Sequence, residues 1–195
     1  SNTAWLLHAR DDALATVGAE GPSYTIDKIS DDYSPLIARR IDGTMEVPLY
    51  LDTPSSGGRL VFGDDGMPKQ NGTAKFGFLL LIPRSVAKAA KPAPIVQFGH
   101  GLLGTRDQAT GQGHQQFAAD NGYVLLATNW IGMADDDADP IAQLILTGQV
   151  HRFQQVPDRL TQGLVNALLA MRLASGRLRD DASVKFEGES VLDPT

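Results

Sequence analysis

The sequence predicts an α/β fold: a partial parallel sheet flanked by helices, with a β-rich N-terminal extension. Three observations carry that expectation. From residue 76 onward, short apolar runs alternate with stretches of helical spacing, the pattern of strands joined by covering helices. Before residue 76, turn signals at Gly21-Pro22, Ser34-Pro35, Asp42-Gly43, Gly57-Gly58, Asp65-Gly66 and Asn71-Gly72 cut the chain into strand-length pieces. The run 123–128 is apolar almost throughout, as a parallel strand covered on both faces must be. The chain divides accordingly into an extension, residues 1–75, and the N-terminal part of a helix-covered core, residues 76–195.

In chain order, a short helix is expected over 5–15, followed by strands over 23–29, 44–51, 59–62 and 74–82. Asp65-Gly66 and Asn71-Gly72 tolerate positive φ and are the dipeptides that close hairpins. In the second part, 95–98 reads as a strand and 112–120 as a helix stopped by Asn121-Gly122. The strand 123–128 and a helix containing Ile141, Leu144 and Ile145 come next. The longest helix starts at Pro157, suited to a first turn, and runs to about Ser175. Its Leu160, Leu164, Leu168 and Met171 recur at helical spacing and are expected in the core.

Composition narrows the function. Apolar residues make up 42% and charged residues 21%, a globular balance. A net charge of -6, with 17 Lys and Arg scattered along the chain, argues against nucleic acid or anionic membrane as a partner. The longest apolar run, 76–82, is strand-length and far short of the roughly 20 residues of a membrane span. There is no cysteine, so disulfides, thiolate metal sites and a Cys nucleophile are excluded. Trp5-Leu6-Leu7 is too short for the apolar region of a signal peptide.

The strand 95–98 runs straight into Gly99-His100-Gly101-Leu102-Leu103-Gly104. Such a turn presents backbone N–H groups to negative charge, and three readings are open. It matches the dinucleotide fingerprint G-x-G-x-x-G. However, residues 105–113 carry two more glycines and no helical apolar pattern, and the next strand ends Thr128-Asn129-Trp130 with no ribose-binding acid. It also fits an oxyanion loop, whose pre-placed N–H donors stabilise the charge that acyl transfer builds on a carbonyl oxygen. The third reading is a structural strand-to-helix turn with an ordinary surface histidine.

The order strand, His-Gly-x turn, helix, strand over 95–128 resembles the α/β-hydrolase family, and the resemblance extends over about 100 residues from Phe76. Within the family the chain is similar to large secreted bacterial hydrolase-like proteins with a β-rich leader. The resemblance implies that the Leu102 N–H is one oxyanion donor, that His100 and Gly101 shape the turn, and that Asn129 to Met133 share its rim. It implies esterase, lipase or peptidase chemistry on a small-molecule ester or amide, without a cofactor or metal, and a location outside the cytoplasm. The family's serine lies on a Gly-x-Ser-x-Gly elbow, a setting that no serine of this chain has. By resemblance, the long helix leads into the elbow strand, so nucleophile, acid and histidine would follow Thr195 and this chain alone would be inactive. The elbow strand would pair beside 95–98, so an open edge there is expected to recruit a second copy or a complementary C-terminal fragment. The reading from another class is a non-catalytic binding or assembly module that keeps the half-fold.

Other signals are weaker. Ser85-Val86-Ala87-Lys88 matches the Ser-x-x-Lys of penicillin-recognising enzymes, but its partner motifs are absent and Ser85 also reads as a helix N-cap. Counted as a calcium loop from Asp135, position six is Pro140 and position twelve Leu146, where Gly and Glu are required. The acids are otherwise explained by the dipole of the helix they precede. His8, His100, His114 and His151 lack ligand spacing.

Overall fold

The computed structural model describes residues 2–193. Its helices are α1 (Asn2–Val17), α2 (Arg84–Ala89), α3 (Gln112–Asn121), α4 (Ala138–Leu146) and α5 (Gln155–Ser175). Its strands are β1 (Ser23–Asp31), β2 (Ile37–Pro48), β3 (Thr73–Pro83), β4 (Ile95–Phe98), β5 (Val124–Thr128), β6 (Lys185–Phe186) and β7 (Glu189–Ser190). The first five form one sheet in the order β1-β2-β3-β5-β4. β4 and β5 pair in parallel, whereas β1–β2, β2–β3 and β3–β5 are antiparallel. The fold is α/β, with a mixed sheet whose parallel pairing is confined to the pair that carries the glycine turn.

Burial of both faces explains the apolar strands. Phe78, Leu80 and Ile82 of β3 and Val124 and Leu126 of β5 point into a core shared with Val165, Leu169 and Leu173 of α5. The alternate residues Leu79, Leu81, Leu125 and Ala127 join a second core with Ala118 of α3. A period of two thus becomes a three-layer sandwich, with α1 and α5 on one side and α3 on the other. A register shift between Ile37 and Arg39 moves Ile37 to the α3 side, while Ile41, Met45 and Val47 face α5. Asp42-Gly43 lies inside β2 and makes no turn. A Cβ on Gly43 would stand 2.3 Å from Cζ of Phe78, so the glycine leaves room for that ring.

Other expectations shift in detail. Residues 59–62 form only isolated bridges, Leu51 to Leu60 and Phe62 to Pro68. The backbone of this loop is partly satisfied by α5 side chains. Gln162 accepts the Tyr50 N–H at 2.8 Å and donates to Pro48 O at 3.0 Å, and Asp158 accepts the Leu60 N–H at 3.2 Å. Ser85 caps nothing: Pro83 stands at the N-cap position of α2 without a side-chain cap bond, and the Ser85 hydroxyl donates to Ala119 O of α3 at 2.9 Å. The Tyr24 hydroxyl of β1 donates to Asp181 at 2.6 Å.

That last bond gives a pH-dependent stability with a defined sign. Burial by itself would raise the Asp181 carboxyl, but the Tyr24 hydroxyl and Ser183 outweigh it and hold the group below its ordinary value. Its stabilisation is present above the unfolded carboxylate value of about 3.9 and is lost as pH falls through the lower folded value. Urea midpoints of Asp181→Asn should therefore lie below wild type at pH 7, and the gap should narrow in acid below about pH 4. A gap that stays constant with pH would rule out a contribution from this charge.

None of the stripe Leu160, Leu164, Leu168 and Met171 is fully buried, and of the four only Met171 packs against the main core. Leu168 is 42% exposed and the other three are half-buried. The buried face of α5 instead combines Val165, Leu169 and Leu173 with polar Asp158, Arg159, Gln162 and Asn166. Helical spacing located an apolar face, but the polar residues that bond the 49–60 loop claim the buried side. All four residues of β4 are only half-buried, and its far edge is unpaired among the described residues. Ile95, Leu168 and Met171 line a groove of about 270 Å³ beside that edge. An apolar stripe next to an open edge should make the chain self-associate with concentration, seen by size-exclusion chromatography. Leu168→Glu should shift it to monomer with stability changed by no more than about 0.5 kcal/mol. A wild-type monomer at all concentrations would contradict this.

Candidate functional site

The glycine turn leaves the carboxyl end of β4, beside the carboxyl end of its parallel neighbour β5. A Cβ on Gly99 would meet the Trp130 ring at 3.2 Å, so the turn begins pressed against the residues that follow β5. His100 is buried. Its Nε2 lies 2.8 Å from the Trp130 N–H, which can only donate. Nε2 is therefore the acceptor, and Nδ1 carries the proton and donates to Gly101 O at 2.8 Å. His100 is a neutral strap across the two strand exits, not the surface histidine of the structural reading.

The N–H groups of residues 101–104 can be accounted for one by one. Gly101 N–H donates to Gln108 Oε1 at 3.0 Å, and Gly104 N–H closes the turn on Gly101 O at 3.0 Å. Leu103 N–H donates to Met133 O at 2.7 Å, and Asp135 N–H donates to Gly104 O at 3.0 Å. Leu103 holds φ at 56°, a left-handed conformation that a leucine adopts only under tertiary constraint. Among the described residues, Leu102 alone of residues 101–104 has no acceptor for its N–H, and it is 76% exposed. Leu102, Gly101 and His100 thus lie in one turn, each with a different hydrogen-bonding state.

A dinucleotide turn requires a helix under way at the third glycine. Here Gly104 is followed by extended Thr105, a 3-10 turn over Arg106–Thr110, and α3 only from Gln112. The helix N-terminus is therefore displaced from the turn, and Asn129 holds the intervening chain by accepting the Arg106 N–H at 2.8 Å.

Behind the turn lies a polar assembly that the acidic run concealed. Asp137 is buried and pairs with Arg159 of α5, Oδ1 to Nε at 2.5 Å. Its Oδ2 accepts the N–H groups of Gly132 at 2.5 Å and Ala134 at 3.1 Å. Arg159 also donates to Pro54 O and Ser55 O, and to Asp136 at 3.1 Å. Burial, then the charge of Asp137, push the Asp136 carboxyl above its ordinary value, while Arg159 pulls the other way. Asp137 is thus a buried anchor and not merely a complement to a helix dipole. Gly132, at φ 94°, and Gly163 allow the post-β5 segment to lie directly on α5. Their added Cβ atoms would stand 2.4 Å from Leu160 N and 2.7 Å from Ile131 O.

Asn129 lies on the rim where the resemblance puts it, whereas the roles of Gln108, Asp137 and Arg159 were missed in the sequence. The one local hint was Gly163, a glycine inside a helical pattern, which usually marks a close packing contact. Among the described residues no group of three or more His, Cys, Asp or Glu is placed to hold a metal ion, and no helix is long and apolar enough to cross a membrane.

Fold and site together define a three-layer α/β protein whose candidate site sits outside the carboxyl ends of its two parallel strands, where ligands of open α/β sheets bind. No family model and no curated protein matches the sequence. Among solved structures it is similar to a chain from Bacteroides fragilis proposed to be an acetyl xylan esterase, with 12% identity and a TM-score of 0.47 over 89% of this chain and 43% of that one. It is also similar to two structures of a glucuronoyl esterase from Solibacter usitatus, at 18% identity and TM-scores of 0.29 and 0.27, over 66% of this chain and 36% of those. The chain spans less than half the length of each of these proteins.

Proposed function

We propose that this chain is the N-terminal portion of a serine hydrolase core of the esterase, lipase or peptidase type, and that it supplies the oxyanion loop. The observation that carries the reading is the accounting of residues 101–104: three of their four N–H groups are tied inside the protein, and among the described residues the Leu102 N–H has no acceptor. A fixed, unspent backbone donor at a strand's carboxyl end is what stabilises a developing oxyanion with little reorganisation. The far edge of β4, unpaired among the described residues, supports the rest of the reading. A strand added there in parallel would bring its carboxyl end, and an elbow serine on it, beside Leu102. The substrate class is a small-molecule ester or amide, and the triad lies beyond Thr195. Location outside the cytoplasm is part of the same proposal and rests on the family resemblance.

Intact mass spectrometry after a fluorophosphonate probe tests this. Residues 1–195 should stay unlabelled, and the chain extended by the codons that follow Thr195 should take one label on a serine within a Gly-x-Ser-x-Gly sequence. A labelled 1–195 chain, or an extended chain without reactive serine, would overturn the reading. The second of these outcomes would favour the binding module, which the half-exposed α5 stripe and the β4 edge, unpaired among the described residues, also suit.

A further inference from the structure

We infer that the buried Arg159–Asp137 ion pair positions the Leu102 N–H, acting through Met133. The bonds form an unbroken chain. Arg159 fixes Asp137 at 2.5 Å, and the other carboxylate oxygen holds the N–H groups of Gly132 and Ala134. Those two residues flank Met133, whose carbonyl receives the Leu103 N–H at 2.7 Å. Gly104 and Ala134 form a parallel bridge one residue further on. Leu103, left-handed at φ 56°, would not hold that conformation on local preference. Its peptide plane neighbours that of Leu102, so what holds Met133 in place also orients the free donor.

The geometry of α5 makes the pair a clamp and not a surface contact. Arg159 is 1% exposed, and its guanidinium is further held by the carbonyls of Pro54 and Ser55. Gly132 and Gly163 bring the 130–134 backbone against the same helix. Hydrogen bonds in such a low-dielectric network reinforce one another, and a contiguous bonded path is the physical basis on which a change at one end reaches the other. Arg159 and Asp137 are positioning residues: neither needs to touch a substrate.

Site-resolved amide exchange of the 15N-labelled chain tests the coupling. In Asp137→Asn, which removes the charge and one acceptor, the amides of Gly132, Ala134 and Leu103 should all exchange at least tenfold faster. The 15N shift of Leu102 should move, and the speeding of the three amides should exceed that of the sheet amides of Leu80 and Leu126, which follow global unfolding. Faster exchange at Gly132 and Ala134 with Leu103 unaltered would overturn the inference. Should the variant not fold, the wild-type chain decides. Opening of the three amides should share one dependence on low urea, and a distinct, shallower dependence at Leu103 would show that the turn opens independently of the clamp. The meaning of this device for catalysis rests on the oxyanion reading. Exchange reports the coupling alone, whereas the probe experiment judges the reading, so either can fail without the other.

Discussion

Replacing Arg159 with methionine should lower folding stability by about 3–5 kcal/mol, the usual loss when one partner of a buried pair is removed. The reason is what stays behind: the Asp137 carboxylate, buried in the same core, loses its counter-ion, and the carbonyls of Pro54 and Ser55 lose their donor. The measurement is the urea midpoint, read at unchanged slope. Buried ion pairs are often replaceable by apolar residues at no net loss, but only when nothing else depends on them. Here Asp137 Oδ2 is the acceptor of two backbone N–H groups, so the double variant Arg159→Met, Asp137→Leu should remain unstable by about 1–3 kcal/mol for each buried donor left unmade. Recovery of wild-type stability in the double variant would mean that those N–H groups find other acceptors.

Gly132→Ala should cost about 3 kcal/mol or more, from two sources that can be separated. At φ 94° any side chain is strained, worth about 1–3 kcal/mol. The added Cβ would also press within 2.4 Å of the Leu160 backbone nitrogen, which lies in α5 and cannot step aside, and overpacking of this kind costs about 1–3 kcal/mol. Gly122 is the control. It caps α3 at φ 67°, with nothing within 4 Å of its would-be Cβ, so Gly122→Ala should show the backbone cost alone, about 1–2 kcal/mol. Equal midpoints for the two variants in thermal unfolding would show that the contact with α5 yields.

The parts of this architecture that could be read in the sequence are those where one residue type answers to one local requirement. β4 was expected at its observed bounds and β5 one residue early, because both are short apolar runs between turn signals. α3 ends at Gly122 because a left-handed cap favours glycine. The start of β2 was hidden, since Arg39, Arg40 and Asp42 do not look like strand. Arg40 is in fact paired with Asp42 and Asp107 on the α3 side, while Ile41 alone carries the burial opposite. α5 misled for the converse reason. Its leucine stripe is conspicuous but half-exposed, whereas the buried residues Asp158, Arg159, Gln162 and Asn166 have tertiary partners that no spacing rule reveals. The site follows the same division. The turn could be read from its glycines, but Gln108, Asp137 and Arg159, which hold it in shape, lie 4 to 55 residues beyond Gly104 and are joined to it only by folding.

The left-handed leucine at 103 bears on what kind of object the turn is. Glycine there would let the loop reach its shape alone, but leucine obliges the 133–135 backbone to impose that shape from outside. A synthetic peptide of residues 95–106 would therefore relax to other conformers and offer its amides in no fixed direction. The direction of the turn's amides is a property of two chain segments laid side by side, and it comes into being only when the second is in place.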